Sequence, residues 1–419
     1  MLKGITPAEA LQIVLDHTPL LGAETTAVAD ARGRVLVEGI RSTRQLPPSD
    51  NSAMDGFAVR SADLASASAE HPVVLEVVTE IPAGGSAERA LRAGEAARIL
   101  TGAPIPPGCD AVVMQEDTTR DGDRVRVNVA PEPNTHIRDA GEDVASGDQV
   151  LDPGAVVGPA EIGMLASLGR SVVSVHQRPR VAILSGGDEL VEPDGDTSGG
   201  RIVASNSYSI AAQCLEAGAD PIYLGIARDT PDNIEQRMRA GLHADVLVSS
   251  AGISVGDRDY VRGVLEKLGC SLLFWGVNMK PGYPLAFGRF EAGGGPLVFG
   301  LPGNPVSAMV TFEQFVRPAL RKMAGRRLLF RPTVRARLAN GLQKQIGRLH
   351  FVRVDLERDG DEIVARHTGN QSSGVLRSML LARGLLIFPA EASELREGDT
   401  ATVQVLDEDF LAAPTPAFS

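Results

Sequence analysis

The sequence predicts a multidomain protein that combines a parallel-sheet α/β domain with smaller all-β domains. The chain has 419 residues, and because single domains usually span ~100–200 residues, we expect two to four domains. Residues 178–325 alternate apolar strands with helices, which is the pattern of a parallel sheet covered on both faces. The flanking segments instead carry short strands separated by Gly, Pro and Asp turns, which is typical of all-β domains.

The composition limits the classes of function. Hydrophobic residues make up 43% of the chain and charged residues 22%, a balance that argues against global disorder. The net charge is −12, from 41 basic and 53 acidic residues. It disfavours broad binding to nucleic acids or membrane surfaces, because both need basic patches. An anionic ligand would therefore need local Lys or Arg side chains, backbone N–H groups or a divalent cation.

Cysteine usage and the N-terminus favour a reducing compartment. Cys109, Cys214 and Cys270 are far apart and form no CxxC pair, so buried or free thiols are favoured over a disulfide or zinc framework. The N-terminus has no basic region followed by an apolar run, and no stretch approaches ~18 apolar residues, so we expect neither a signal peptide nor a membrane span. A cytoplasmic protein is the simplest interpretation.

The first 150 residues predict a helix, a linker and a small β domain. The helix covers residues 6–19, with Thr6 as N-cap and Pro7 in the first turn. The polar run RSTRQLPPSDNSAMDG indicates a linker into residues 57–135. That segment carries the β-like runs VVLEVVTE, EAARIL, AVVMQE and RVRVNV, and a loop at 138–150 leaves it.

The α/β segment begins with the continuous apolar strand RVAILS. A helix over SNSYSIAAQCLEAGA follows, with Ser205 or Asn206 as its cap and Gly218 near its end. The later elements are the strand PIYLGIA, a helix at 231–242, the strand ADVLVSS, a helix at 258–269 and the strand PLVFG.

Residues 331–407 return to short alternating strands. These strands are TVRARLA, FVRVDLE, EIVARH, GLLIFPA and ATVQVL. They predict a small β-barrel or sandwich.

Three glycine-rich loops follow strands of the predicted parallel sheet. They are SGGDEL at 185–190, SSAGISVGDRDY at 249–260 and GLPGNPVSA at 300–308. Ligands bind beyond the carboxyl ends of the strands in such sheets, where glycines and helix N-termini offer free N–H groups to an anion. One such loop could be a tight turn with capping residues, but three in one sheet favour a site for a phosphate-bearing ligand.

Acidic residues cluster at the same loops. Asp188 and Glu189 lie in the first loop, Asp257 and Asp259 lie in the second, and Asp229 ends another strand. Carboxylates beside phosphate-binding backbone suggest Mg²⁺. Helix capping is the rival interpretation for the three aspartates at 188, 229 and 257.

Three further positions have two open interpretations. Lys280, in a proline-glycine turn, either pairs with an anion or is simply solvated. Asp55, in NSAMDGFAV, and Thr101, in RILTGAP, are either functional or ordinary hairpin residues.

Eight ordered segments occur over about 260 residues of the chain. They are DNSAMDGFAV, RILTGAPIPPGCDAVVMQED, AGEDV, SGGDEL, SNSY, SSAGISVGDRDY, KPGYPLAFG and GLPGNPVSA. Together they resemble the molybdopterin molybdenumtransferase family, which inserts molybdenum into the cofactor dithiolene, and the resemblance covers nearly the whole chain.

The resemblance implies a four-domain architecture in an elongated homodimer. The small β domain would face the α/β domain of the partner across a cleft. The implied parts are a helix packing on the α/β domain (1–22), an extended dimerising region (23–49 and 139–177), a small β domain (50–138), the molybdopterin-binding α/β domain (178–327) and a C-terminal β-barrel (328–410).

The resemblance also implies the reaction and its residues. Adenylylated molybdopterin and molybdate would be substrates, and AMP would be released with the help of Mg²⁺. Catalytic positions would be Asp55, Asp143, Glu189 and Asp259, with Glu189 and Asp259 holding the metal. Substrate-binding positions would be Thr101, Ser185, Gly187, Asp229, Ser249, Gly252, Ser254, Gly256, Lys280, Pro302, Gly303, Asn304 and Pro305. Molybdate would be bound by Lys280, Tyr283, Arg353 and Ser373. An adenylyltransferase and molybdoenzyme-delivery proteins would be partners, and nucleic acids and membranes would not.

The chain departs from the family pattern at three places. Tyr283 stands where KPGKP has its second lysine, Gly186 where threonine is usual, and Ala251 where glycine is usual. A paralogue that binds molybdopterin as a scaffold, or that handles another oxyanion such as tungstate, therefore stays open. The absence of GxxxxGK[ST] and GxGxxG argues against the common nucleotide-binding folds.

Overall fold

The computed structural model describes residues 1–250, 260–290 and 294–412. The chain divides into two compact units. The first unit comprises Met1–Glu24, Gly33–Val35 and Val175–Ser419, and the second comprises Thr25–Arg32 and Leu36–Ser174. Within the described ranges, no helix has both the length and the apolar character needed to cross a membrane.

A seven-stranded sheet forms the centre of the α/β domain in the first unit. Its strands lie in the order Leu2–Ile5, Cys270–Val277, Ala286–Phe290, Leu297–Leu301, Val246–Ser250, Arg180–Gly186 and Asp220–Ala227. Only Ala286–Phe290 is antiparallel to its neighbours. The predicted parallel-sheet α/β domain is confirmed, with this one strand running in the opposite direction.

The N-terminus contributes a strand and a helix. Leu2–Ile5 pairs in parallel with Cys270–Val277, at the edge of the sheet. The helix Pro7–His17 follows, and Thr6 caps it because its hydroxyl accepts from the N–H of Glu9 at 3.2 Å. The Glu9 carboxylate in turn accepts from the N–H of Thr6 at 2.8 Å. The predicted cap is therefore confirmed, and the strand before it was not predicted.

Helices cover both faces of this sheet because its central strands, Val246–Ser250 and Leu297–Leu301, are buried along their whole length. They are Ser205–Ala217, Pro231–Gly241, Tyr260–Lys267, Pro305–Thr311 and Arg317–Met323, the last two joined by a π-helical turn at Phe312–Val316. The first helix ends at Gly218, whose φ of 86° is left-handed. The prediction that Ser205 or Asn206 caps its start is wrong, because the N-cap is Ala204 and no side chain bonds there.

Five strands close into a barrel at the C-terminal end of the first unit. Each strand pairs with two others around the ring, so the barrel has no free edge. In ring order they are Leu349–Asp359, Glu362–His367, Thr333–Leu338, Thr400–Val405 and Gly384–Phe388. Of the two predicted alternatives, the structure has the barrel.

The second unit contains a six-stranded sheet that carries the small β domain. Its strands lie in the order Ala111–Met114, Gly56–Val59, Glu95–Ile99, Val73–Ile81, Arg124–Val127 and Thr118–Asp121. One apolar cluster includes Phe57 and Val125, and a second includes Ala58 and Ile99. The helix Pro159–Ser167 also belongs to this unit.

Candidate active site

Three strands of the α/β sheet end side by side. Ser185 is in register with Ser250, and Ser250 is in register with Leu301. Because these strands are parallel, the glycine-rich loops that follow them leave from the same edge of the sheet. The second loop falls at residues 251–259, so Gly252, Ser254, Gly256 and Asp259 lie outside the described residues.

The first loop folds a carboxylate over its own backbone. Gly187 has a φ of 144°, and a Cβ built there would lie 2.6 Å from Glu189 Oε2. Glu189 is exposed. The neighbouring Asp188 Oδ1 accepts from the N–H of Asp229 at 3.2 Å. Asp188 therefore ties the first loop to the end of Asp220–Ala227, and the Glu189 carboxylate stays at the surface.

Buried serine hydroxyls form hydrogen bonds at the ends of two of these strands. Ser185 Oγ bonds Ser207 Oγ and lies 3.3 Å from Ser250 Oγ. Ser185 and Ser249 are each only 1% exposed. Both serines are therefore buried at the ends of their strands, and their binding of a ligand stays a prediction.

The third loop joins the α/β domain to the barrel. Asn206 Nδ2 donates to the Gly303 carbonyl at 2.7 Å, and Asn304 Nδ2 donates to Ser373 Oγ at 3.0 Å. The N–H of Val306 donates to the Ser373 carbonyl at 3.1 Å. These bonds fix the GLPGNP loop between the first helix of the α/β domain and a barrel loop. Asn206 was one of two predicted caps for its helix, with Ser205 as the alternative, and its side chain instead forms this contact.

A second link places Lys280 beside the same barrel. The short strand Met279–Lys280 pairs in parallel with Leu349 and His350 of the barrel. Lys280 itself is exposed. The backbone pairing explains how a residue of the α/β domain reaches the neighbourhood of Ser373.

These links create a pocket of about 280 Å³. It brings together residues that the sequence predicted from three separate segments, and it adds Arg348, which was not predicted. Its polar and loop-lining residues include Lys280, Tyr283, Pro302, Gly303, Asn304, Ser307, Arg348 and Ser373. In sequence, Arg348 is one arginine among many before a strand, and no local pattern distinguishes it.

Tyr283 supports a cation where the family pattern has one. The Arg348 guanidinium carbon lies 4.6 Å from the centroid of the Tyr283 ring. The Tyr283 ring also forms a T-shaped contact with Trp275, with centroids 5.7 Å apart and planes at 84°. A Cβ at Gly276 would lie 3.2 Å from Tyr283 Cζ, so this glycine lets the ring approach closely. Arg348 therefore places a positive charge on the face of Tyr283.

Arg353 is a buried residue of the barrel whose side chain bonds neighbouring serine residues. It is 2% exposed, its Nε donates to Ser378 Oγ at 3.1 Å, and its Nη2 donates to the Ser372 carbonyl at 3.2 Å. Burial lowers the pKa of Arg353 to about 10. These bonds hold the loop that presents Ser373, so the structure shows Arg353 positioning that loop. Its direct contact with molybdate stays a prediction.

The second unit presents the remaining predicted acids at its surface. Asp55 Oδ1 accepts from both the N–H and the hydroxyl of Thr101, at 2.7 and 2.8 Å. These two hydrogen bonds lower the pKa of Asp55, and the bond from the backbone N–H has the larger effect. Asp143 is also exposed, and its N–H donates to the Leu46 carbonyl at 3.0 Å. The carboxylates of Asp55 and Asp143 are therefore both at the surface of the second unit.

The carboxylates of the first unit fit a loosely held Mg²⁺. No group of three or more His, Cys, Asp or Glu that could hold a metal occurs within the described parts of the chain. Mg²⁺ does not need such a cage, because it is usually held by one or two carboxylates together with substrate phosphates and water. The exposed Glu189 carboxylate beside the loop backbone suits that mode of binding.

Gly187→Ala is expected to lower the free energy of unfolding by about 1–3 kcal/mol, because a φ of 144° is accessible to glycine and strained for alanine. Urea unfolding measures the change. Gly186→Ala is the matched control, since a Cβ at Gly186 would meet nothing within 4 Å. Equal stability of the two variants would contradict the backbone constraint at Gly187.

Comparison with known proteins agrees with this architecture. The chain matches the MoeA N-terminal region (domain I and II) over residues 5–169, a probable molybdopterin binding domain over 182–322, and the MoeA C-terminal region (domain IV) over 335–406.

Relatives match over nearly their full length. A molybdopterin molybdenumtransferase of Nostoc sp. is 38% identical, covering 94% of this chain and 92% of the relative. One of Haemophilus influenzae is 35% identical, covering 96% and 98%. The crystal structure of the molybdopterin biosynthesis moeA protein from Pyrococcus horikoshii OT3 matches with a TM-score of 0.79 and 32% identity, covering 96% of this chain and 100% of that one. The chain belongs to the molybdopterin molybdenumtransferase family, the transferases of molybdenum cofactor biosynthesis.

Proposed function

We propose that this protein inserts molybdenum from molybdate into adenylylated molybdopterin and releases AMP, giving molybdenum cofactor. The observation that carries the proposal is the pocket of about 280 Å³ where KPGYP, GLPGNP and Ser373 meet beside the strand ends. A tetrahedral dianion needs cations and fixed hydrogen-bond donors. Lys280 and Arg348 supply the charge, and Asn304 and Ser373 supply donors at this pocket.

The strand ends are the proposed site for the pyrophosphate of the pterin nucleotide. Backbone N–H groups of the first and third loops would hold its oxygens, as glycine-rich loops do at such sheet edges. Gly303 is exposed, and Asp229 adds a surface carboxylate through its link to Asp188. When Mg²⁺ is bound, it would offset the charge of the phosphoanhydride, and Glu189 together with Asp259 would hold it.

The second unit is proposed to complete the site in a homodimer. Asp55 and Thr101 would reach the cleft from the partner subunit, where an ionised Asp55 can accept a hydrogen bond or orient a water. Asp143 would be a further catalytic position. The Thr101 bonds that lower the pKa of Asp55 support an ionised carboxylate at neutral pH. The proposal also places the protein in the cytoplasm, in contact with an adenylyltransferase and with proteins that deliver the cofactor.

A second candidate is a scaffold that binds molybdopterin without turnover, or an enzyme that handles tungstate. The observation that favours it is Tyr283 in place of a lysine. The stack of Arg348 on Tyr283 weighs against it, because the pocket keeps two cations.

Molybdate-dependent release of AMP tests the proposal. Purified protein with Mg²⁺, molybdate and adenylylated molybdopterin is expected to release AMP, and chelation of Mg²⁺ is expected to stop the release. A homologue of known activity is assayed alongside as the control. Tight pterin binding without AMP release, while the homologue is active, would favour the scaffold, and release with tungstate alone would favour the other oxyanion.

A further inference from the structure

In the second unit, the turn that carries Asp55 is joined to the turn that carries Thr101 through Ser52. The N–H of Ser52 donates to the Ala103 carbonyl at 2.9 Å, and the N–H of Gly102 donates to the Ser52 carbonyl at 2.8 Å. Ser52 is therefore paired with the residues that directly follow Thr101. It also stands three residues before Asp55 in the chain, so this one residue borders both turns.

The side chain of Ser52 closes the turn that leads to Asp55. Its Oγ donates to the Met54 carbonyl at 2.6 Å and accepts from the N–H of Met54 at 3.3 Å. A serine hydroxyl that bonds backbone groups two residues further on fixes a local turn in this way. Ser52 is 0% exposed, so water does not compete for the hydroxyl. The two bonds therefore fix the backbone directly before Asp55.

A third segment holds the same short strand, Asn51–Ser52, along its other edge. Ser52 pairs with Ile137 in an antiparallel ribbon, and the N–H of Ala53 donates to the His136 carbonyl at 2.9 Å. His136 has a left-handed φ of 56°, which is uncommon for a residue other than glycine, and its Nδ1 donates to a backbone carbonyl at 3.1 Å. Ser52 is thus buried between two segments that both restrain its backbone.

The contact between Asp55 and Thr101 depends on the relative position of the two turns. Both hydrogen bonds accepted by Asp55 Oδ1 come from Thr101, one from its N–H and one from its hydroxyl. A shift of one turn against the other would therefore lengthen both bonds together. The carboxylate is exposed, so its orientation relies on these bonds more than on packing.

We infer that Ser52 is a positioning residue, which holds the Asp55 carboxylate against Thr101 for the proposed reaction. Because Ser52 is buried, its hydroxyl acts through the backbone of Met54, and its own backbone acts through Gly102. The catalytic consequence rests on the proposed function of Asp55. The coupling between Ser52 and Asp55 stands on the hydrogen bonds of the second unit alone.

The titration of Asp55 in the intact protein tests this coupling. Nuclear magnetic resonance of carbon-13-labelled aspartate follows it, with Asp55→Asn assigning the signal. Ser52→Ala is expected to raise the pKa of Asp55 toward the ordinary value for aspartate, because the two bonds from Thr101 that lower it are weakened. Thr101→Val removes one of these bonds directly and provides the reference rise. Ser68→Ala is the matched control, since the Ser68 hydroxyl accepts from the N–H of His71 at 3.0 Å, outside these segments.

The kinetics of AMP release separate positioning from a purely structural role. Ser52→Ala is expected to lower the maximal rate about tenfold, which corresponds to the loss of about one buried hydrogen bond, and to leave the molybdate requirement unchanged. Ser52→Cys keeps a weaker donor and acceptor of similar size, so it should change both the rate and the titration less. This variant also replaces the alanine variant if the latter does not fold.

Two outcomes would overturn the inference. The first is an Asp55 titration that is the same in folded Ser52 variants as in the wild type, while Thr101→Val shifts it. The second is an unchanged maximal rate in a variant whose Asp55 titration has moved. Failure of the proposed function would appear differently, as a wild-type protein that releases no AMP although Ser52→Ala still raises the pKa of Asp55.

Discussion

Replacing Arg348 with glutamine is expected to raise the molybdate concentration needed for half-maximal AMP release by about 10- to 100-fold, since hydrogen bonds to charged groups contribute about 1.5–3 kcal/mol. Arg348 borders the pocket with Lys280 and rests on the ring of Tyr283 at 4.6 Å. Its loss would leave one cation to face a dianion. The measurement is AMP release across molybdate concentrations, with adenylylated molybdopterin saturating, so that the molybdate requirement is separated from the maximal rate.

Substitutions at Tyr283 separate the ring from the charge. Tyr283→Phe should match the wild type because the stack on Arg348 uses the ring face. Tyr283→Leu should raise the molybdate requirement about twofold to thirtyfold, because a cation–π contact of about 0.5–2 kcal/mol is lost. Tyr283→Lys should lower the requirement, because it adds a cation at the pocket. An unchanged requirement in both the leucine and the lysine variants would show that Tyr283 does not face the oxyanion.

Glu313→Ala is expected to reduce the free energy of unfolding by about 3–5 kcal/mol, because removing one partner of a buried ion pair leaves an uncompensated charge. Arg331 Nε donates to Glu313 Oε1 at 2.9 Å, and Arg317 Nε lies 3.4 Å from the same oxygen. Glu313, Arg317 and Arg331 are 4%, 5% and 6% exposed. Arg331 also donates to Glu216 Oε1 at 2.6 Å. The network thus joins the helices of the α/β domain to the segment that enters the barrel.

Thermal and urea unfolding measure this loss against a matched surface pair. Glu266→Ala removes an exposed ion pair with Arg262, in which the side chains are 46% and 53% exposed, and should cost at most about 0.5 kcal/mol. Losses of similar size in the two variants would contradict a dominant role for burial at Glu313.

Continuous apolar strands and glycine turns were sufficient to predict the α/β domain, because burial on both faces of a sheet leaves a strong pattern. The alternating strands of residues 331–407 left a barrel and a sandwich open. The strand Leu2–Ile5 was missed because its partner, Cys270–Val277, is distant in sequence. The antiparallel strand Ala286–Phe290 was missed for a related reason: strand direction depends on chain topology. Local composition carries neither kind of information.

The candidate site shows the same limit. The sequence predicted which loops converge, and the pocket joins Lys280, Asn304 and Ser373 as neighbours. The direction of a side chain and contacts across the chain were not predictable. The hydrogen bond of Ser185 to Ser207 and the contact of Arg348 with Tyr283 were therefore not predicted.

The most direct test is anomalous diffraction at the molybdenum absorption edge from crystals equilibrated with molybdate. The proposed function predicts a molybdenum peak in the pocket, within contact distance of Lys280, Asn304 and Ser373, and a weaker peak in crystals of Arg348→Gln at the same subsaturating molybdate concentration. A well-diffracting crystal at saturating molybdate with no peak in that pocket would contradict the central claim that this junction of the α/β domain and the barrel receives the oxyanion.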